Sequence, residues 1–217
     1  MVVGWVLVGC FAVALVIATA TTEDSDLRPG TRPDDGTAAE ELVRAWERSR
    51  TATFVRTGTF ERRSDVTGSS ISSEDVLAQR PPQRLHRQLG GIDGRDDRRE
   101  LSCPSPPEGS PPEDCTLGEP SGPSYDEDVA REVAALRTLV AGDTPVYAVG
   151  RGADPGCFEL VLQRVEPRAP FGQEARFCFD EATGALSNSR VVYEGGIVEV
   201  VAVTDIRTDV ADADLQP

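Results

Sequence analysis

Hydrophobic and polar positions divide the chain into four patterns. Residues 2–20 carry no charge at all, and nineteen helical residues rise about 28 Å, close to the hydrocarbon thickness of a bilayer. Residues 21–36 (TTEDSDLRPGTRPDDG) mix Pro, Gly, Thr and acids without apolar periodicity, which predicts a tether. From Thr37-Ala-Ala-Glu40, which has the form of a capping box, Leu42, Val43 and Trp46 share one helical face through about Arg50. A second capping box, Ser124-Tyr-Asp-Glu127, opens a helix with Val129, Val133, Leu136 and Val140 along one side and Gly142 at its end.

Elsewhere the period is two. In a strand read from Thr51, Ala52, Phe54 and Phe60 fall on one face with Arg56 and Gly58 between them, and Thr53, Val55, Thr57 and Thr59 alternate on the other. A DVTGSS turn leads to ISSEDVLAQR, which Pro81-Pro82 ends. The segment QRLHRQLGGIDGRDDRRELSC predicts two more short strands about a Gly-rich turn. Residues 103–124 are proline-rich and aperiodic, hence a surface loop. After the second helix come PVYAVG, two strands at 157–164 and 174–179, then ALSNSRVVY and IVEVVAVTDI. Helix, strands, helix, strands with short connections predict an α+β domain over 37–210, its helices on one face of an antiparallel sheet. Residues 211–217 read as a solvated acidic tail.

Composition narrows the function. The 217 residues hold 37 acids against 22 basic residues, all of them Arg, for a net charge of −15. Such a balance argues against a phosphate backbone as partner, so no nucleic acid is expected. The acidity is local: residues 21–43 carry −5, residues 101–130 carry −7 and residues 194–217 carry −5, which leaves the sheet near neutrality. One basic island stands out, with Arg80, Arg84, Arg87, Arg95, Arg98 and Arg99. It could meet anionic headgroups or an acidic partner; a cross-strand ladder or an internal mate for the acidic loop is the preferred reading.

The apolar start reads first as a membrane anchor, with the following domain outside the cytoplasm of a bacterial cell. Its length and the lack of Arg or Lys before it favour that reading. Ala18-Thr19-Ala20 has the small-x-small form of a cleavage site, so secretion after cleavage following Ala20 is the alternative. Leu7-Val8-Gly9-Cys10 resembles a lipoprotein box, but mostly apolar residues follow where a polar tether belongs.

The remaining cysteines, Cys103, Cys115, Cys157 and Cys178, are even in number and lack Cys-x-x-Cys spacing, which favours two disulfides over zinc. Three connectivities exist. Setting Cys157 opposite Cys178 places Phe158 against Phe177, Glu159 against Arg176 and Leu160 against Ala175, so that one face is wholly apolar. That register leaves Cys103 to close a loop with Cys115.

The helix running into a strand at Thr51, the hairpin ISSEDVLAQRPPQRL and the ladder FCFDEATGALSNSRVVYEGG, with its Asp180-Glu-Ala-Thr-Gly184 turn, resemble the half-barrel envelope proteins. That family includes LolA, mycobacterial lipid-binding lipoproteins and RseB/MucB; the all-Arg usage resembles an actinobacterium. The resemblance implies a strongly curved antiparallel sheet with two main helices on its concave face. It also implies a lipid or acylated partner held there by Trp46, Phe54, Phe60, Phe158, Leu160, Phe177 and Phe179. Aromatics under a helix ordinarily form core, which is the competing reading of the same residues. An envelope protein partner with no lipid is the alternative function.

Catalytic chemistry ranks last. His86 lies between Leu85 and Arg87 with no nucleophile elbow anywhere in the chain. Asp209, Asp212 and Asp214 lack the glycine turn and bidentate Glu of a calcium loop. No metal, cofactor or catalytic residue is expected.

Overall fold

A computed structural model describes residues 36–89, 91–103, 115–164 and 169–217. The apolar start, the tether, Cys10 and the interior of the 103–115 loop lie outside the described residues. In chain order the elements are α1 (Thr37–Thr51), β1 (Phe54–Ser64), β2 (Ser70–Arg80), β3 (Gln83–Gln88), β4 (Gly91–Asp96), β5 (Arg99–Cys103) and β6 (Thr116–Leu117). Then follow α2 (Tyr125–Ala141), β7 (Tyr147–Arg151), β8 (Cys157–Leu162), β9 (Glu174–Phe179), β10 (Leu186–Tyr193) and β11 (Ile197–Arg207). A short 3-10 helix (Asp212–Leu215) closes the chain.

The strands form one antiparallel sheet in the order β6-β5-β4-β3-β2-β1-β11-β10-β9-β8-β7. It consists of two meanders, β1 to β6 and β7 to β11, joined where the first strand pairs with the last. The class is therefore α+β, with two helices and an eleven-stranded sheet. At the join, β11 carries an extra residue opposite Thr57 and Gly58. A Cβ on Gly58 would come within 2.2 Å of the Ala202 carbonyl oxygen, so only glycine admits this approach.

Both disulfides form in the predicted pairing, Cys157–Cys178 and Cys103–Cys115. The β8–β9 register is also the predicted one, with Phe158 opposite Phe177 and Leu160 opposite Ala175. Glu159 lies opposite Arg176 as expected, and Arg176 also donates to Asp154 and sits 3.7 Å from Cys157 Sγ. Asp180 organises the turn before β10, its Oδ1 accepting from Thr183 N and Oγ1, both at 2.7 Å, while Gly184 takes φ 76°.

Some local expectations differ. The N-cap of α1 is Gly36 at φ 89°, without a side-chain cap, and the Thr37 hydroxyl accepts from Arg151 instead. The Ser124–Glu127 capping box is present on α2. The strand expected from Thr51 begins at Phe54, because α1 runs on to Thr51. Residues 83–103 form three strands rather than two, since Asp97 takes φ 52° and reverses the chain a second time. The acidic end is not a free tail: Asp212 pairs with Arg80 at 2.8 Å, Asp214 with Arg207 at 2.5 Å, and Leu215 packs by Leu85 and Ile92.

Candidate functional site

Register defines the face under the helices. Phe158, Phe177, Ser189, Val201, Phe60 and Ser73 follow one another across six strands, from β8 through β9, β10, β11 and β1 to β2. They therefore share one face, and alternation extends it to Leu160, Ala175 and Val191 at one end. At the other end it reaches Arg56, Asp75, Gln79, Arg84 and His86. One face thus changes from apolar to polar along the sheet.

The apolar half is closed. Leu42 and Val43 of α1 and Val129, Val133, Leu136 and Val140 of α2 pack with Phe158, Leu160, Phe177 and Phe179 in a single core. Trp46 joins its edge, its ring 5.3 Å from Phe177, and donates from Nε1 to Glu132 at 2.8 Å. Phe54 is buried with Leu77 and Ala185 in a separate small cluster, and Phe60 is buried outside the clusters. The seven predicted ligand residues are thus divided, with Phe158, Leu160, Phe177 and Phe179 serving as core.

The polar half is organised around charge. Asp75 is fully buried and receives His86 Nε2–H at 2.7 Å and Gln88 Nε2 at 2.9 Å, with the Arg56 guanidinium 3.1 Å away. Arg56 also donates to the Leu186 carbonyl at 3.0 Å. Burial pushes the Asp75 carboxyl up, but His86, Arg56 and Gln88 together hold it below its ordinary range. Gln79, equally buried, donates to the Ser49 and Ala52 carbonyls at 2.9 and 2.7 Å, which fixes the end of α1 to the sheet.

Above this floor, Arg50 pairs with Glu132 at 2.9 Å, and Tyr125 donates to the Arg50 carbonyl at 2.6 Å. Arg84 differs from its neighbours. Its Nε is buried, and it has no hydrogen bond or ion pair among the described residues. Burial first, and Arg50 second, bring its pKa down to about 10. The remaining island Arg residues with contacts hold other parts of the fold. Arg95 binds Asp128 at 2.8 Å and the Pro123 carbonyl, which pins the start of α2, while Arg80 and Arg87 grip the C-terminal segment.

Two clefts meet at Arg50 and Arg84. The smaller, about 160 Å³, has walls of Trp46, Phe54, Leu77, Phe179 and Leu186 and polar groups from Arg50, Arg56, Gln79, Arg84 and Glu132. The larger, about 380 Å³, is lined by His86, Asp93, Arg95, Glu100, Tyr125 and Asp128 around the same two arginines. A third, about 410 Å³, lies along α1 over Phe158 and Phe179 with a charged rim of Glu41, Arg44, Arg48 and Glu181. At the edge of the larger cleft, His86 is held by its hydrogen bond to Asp75. No cluster of three metal-ligating side chains occurs among the described residues.

Sequence patterning did not predict this network. Its one local signal was Arg56, a charge at an inward position of β1; its partner lies on a different strand.

An antiparallel sheet with two helices over one face, fastened by two disulfides, defines an α+β domain of an oxidising, extracytoplasmic compartment. Solved structures are similar to it. The complex of Pseudomonas aeruginosa MucA and MucB aligns at 16% identity and TM-score 0.46, over 83% of this chain and 60% of that one. A LolA superfamily protein from Nitrosomonas europaea aligns at 10% identity and TM-score 0.34, over 83% of this chain and 98% of that one. The chain spans less than two thirds of the MucB chains it aligns with. No protein-family model and no curated protein matches the sequence.

Proposed function

We propose that this chain is a non-enzymatic binding protein of the bacterial envelope, tethered by its apolar start, that holds a lipid or an acylated partner beneath its helices. The observation that carries this reading is the uneven floor beneath the helices: the apolar half packs as core and leaves only a charge-rimmed cleft along α1, while the clefts at Arg50 and Arg84 combine apolar walls with buried polar groups. The ligand then meets Trp46, Phe54 and Phe179 of the predicted set, rather than the packed Phe158, Leu160 and Phe177.

Chain lengths support a half-barrel. α2 starts beside β4, where Arg95 holds Asp128, and ends beside β7, where Val146 N donates to the Leu139 carbonyl at 2.8 Å. Eight strand spacings separate β4 from β7 in the sheet order, about 38 Å along the sheet. Seventeen helical residues span only about 26 Å. A sheet curled around the helix reconciles the two lengths.

The packed core favours a second reading, a protein-interaction module without lipid. One experiment separates them: the full-length protein is purified from envelope, its co-purifying lipid is extracted and weighed by mass spectrometry, and crosslinking is run in parallel. Near-stoichiometric lipid is expected. Absent lipid with a reproducible crosslinked partner selects the second reading. The N-terminal mass of the mature chain tests the anchor, which predicts an intact start rather than one at Thr21.

A further inference from the structure

We propose that the 160 Å³ cleft is a carboxylate site, in which Arg84 and Arg50 hold the acid group of an amphiphile and Trp46, Phe54, Leu77 and Leu186 hold its apolar part. The inference deepens the binding-protein reading by naming the ligand's head chemistry.

Charge is the first argument. Three guanidinium groups, of Arg50, Arg56 and Arg84, line the cleft. Glu132 pairs with Arg50 and the buried Asp75 with Arg56. Arg84 has no such mate among the described residues, so the enclosed charge is one cation in excess. Arg84 is half-buried with its Nε fully enclosed, so its charge is partly desolvated, and a singly charged acid would balance it.

Unmet hydrogen-bonding capacity is the second. Among the described residues the Nε groups of Arg50, Arg56 and Arg84 are buried without a hydrogen-bond acceptor, while Gln79 Oε1 and Asp75 Oδ2 are acceptors that a carboxylate leaves as they are. A neutral apolar ligand would leave the arginine groups unmet, whereas a carboxylate accepts from the Arg84 fork in the planar geometry that arginine favours. The cleft has apolar walls as well, and its volume is close to that of a cavity that takes benzene. An acid with a benzene-sized or short-chain apolar part fits; a longer chain would leave through the open side.

Trp46 provides the readout. Its Nε1 donates to Glu132, which also pairs with Arg50, so an anion drawn to Arg50 alters the indole's hydrogen bond. The chain has two tryptophans, Trp5 and Trp46, and a Trp5→Phe background leaves Trp46 as sole reporter. Full-length protein in that background is titrated with phenylacetate and with its neutral isostere, phenylacetamide. Saturable quenching by the acid is expected, at least tenfold tighter than by the amide, the scale of one charge-assisted hydrogen bond. Arg84→Gln is expected to weaken the acid at least tenfold without lowering the unfolding temperature, because it removes an unpaired cation. Should that variant not fold, ligand-induced stabilisation of the unmutated site decides: the acid raises the unfolding temperature and the amide does not. Equal binding of acid and amide, no saturable binding of the acid, or an indifferent Arg84→Gln overturns the inference. If a neutral lipid co-purifies while acid and amide bind alike, this inference falls and the binding-protein reading stands.

Discussion

The two halves of the helix-side face solve the same problem differently. On β8 to β10, Phe158, Leu160, Phe177, Ala175 and Val191 bury apolar surface against both helices, which is the ordinary source of stability. On β1 to β3 the same face buries Arg56, Asp75 and Gln79. Desolvating such ions costs several kcal/mol each, and apolar residues of similar volume would stabilise the fold as well or better. The difference teaches that the apolar half maintains the fold, whereas the polar half retains chemistry that packing alone does not require.

Substitutions break this contrast in graded steps. The largest effect is expected from Asp75→Ala, which strips Arg56, His86 and Gln88 of their shared acceptor and costs about 4 kcal/mol in denaturant unfolding. Leu160→Ala, in the closed half, is expected to cost about 3 kcal/mol by the same measurement, since Leu160 is fully buried. Replacing both partners, as Arg56→Met with Asp75→Leu, is expected to fall within about 1 kcal/mol of neutral or to stabilise. A large loss in that double variant would make the polar half a pillar of stability and erase the contrast.

The smallest effect is in pH. The Asp75 carboxyl titrates below its ordinary value of 3.8, so it contributes stability that is full above that value. The contribution is lost as pH falls through the lower folded-state value. Denaturant midpoints followed from neutral pH into this acid range should decline in the wild type. The part of the decline due to Asp75 should vanish in the Arg56→Met, Asp75→Leu variant.

Legibility in the sequence divides along the same line. The β8–β9 register was readable because alternation and two cysteines agree on one alignment, and the helical stripe of α2 because its period of 3.6 is undisturbed. The apolar candidates were found as a set, but alternation does not tell a packed face from an open one, so Leu160 and Phe177 read equally well as pocket or core. The Arg56–Asp75–His86 network is not legible as a unit because its members sit on three strands: period two puts Arg56 inward but does not identify its partners. β5 is not marked in the sequence because its reversal uses Asp97 at positive φ rather than a glycine. In sequence Arg84 looks like any other member of a basic island; only three-dimensional contacts show that, among the described residues, it lacks partners like those of Arg80 and Arg95.

On the proposed reading, ligand chemistry resides on the polar half. Hydrogen exchange of the full-length protein, read peptide by peptide with and without saturating phenylacetate, tests it most directly. Slower exchange confined to peptides from the end of α1 through β4, with β7 to β9 unchanged, is the predicted result. Slowing centred on β8 and β9, around Phe158, Leu160 and Phe177, would contradict it.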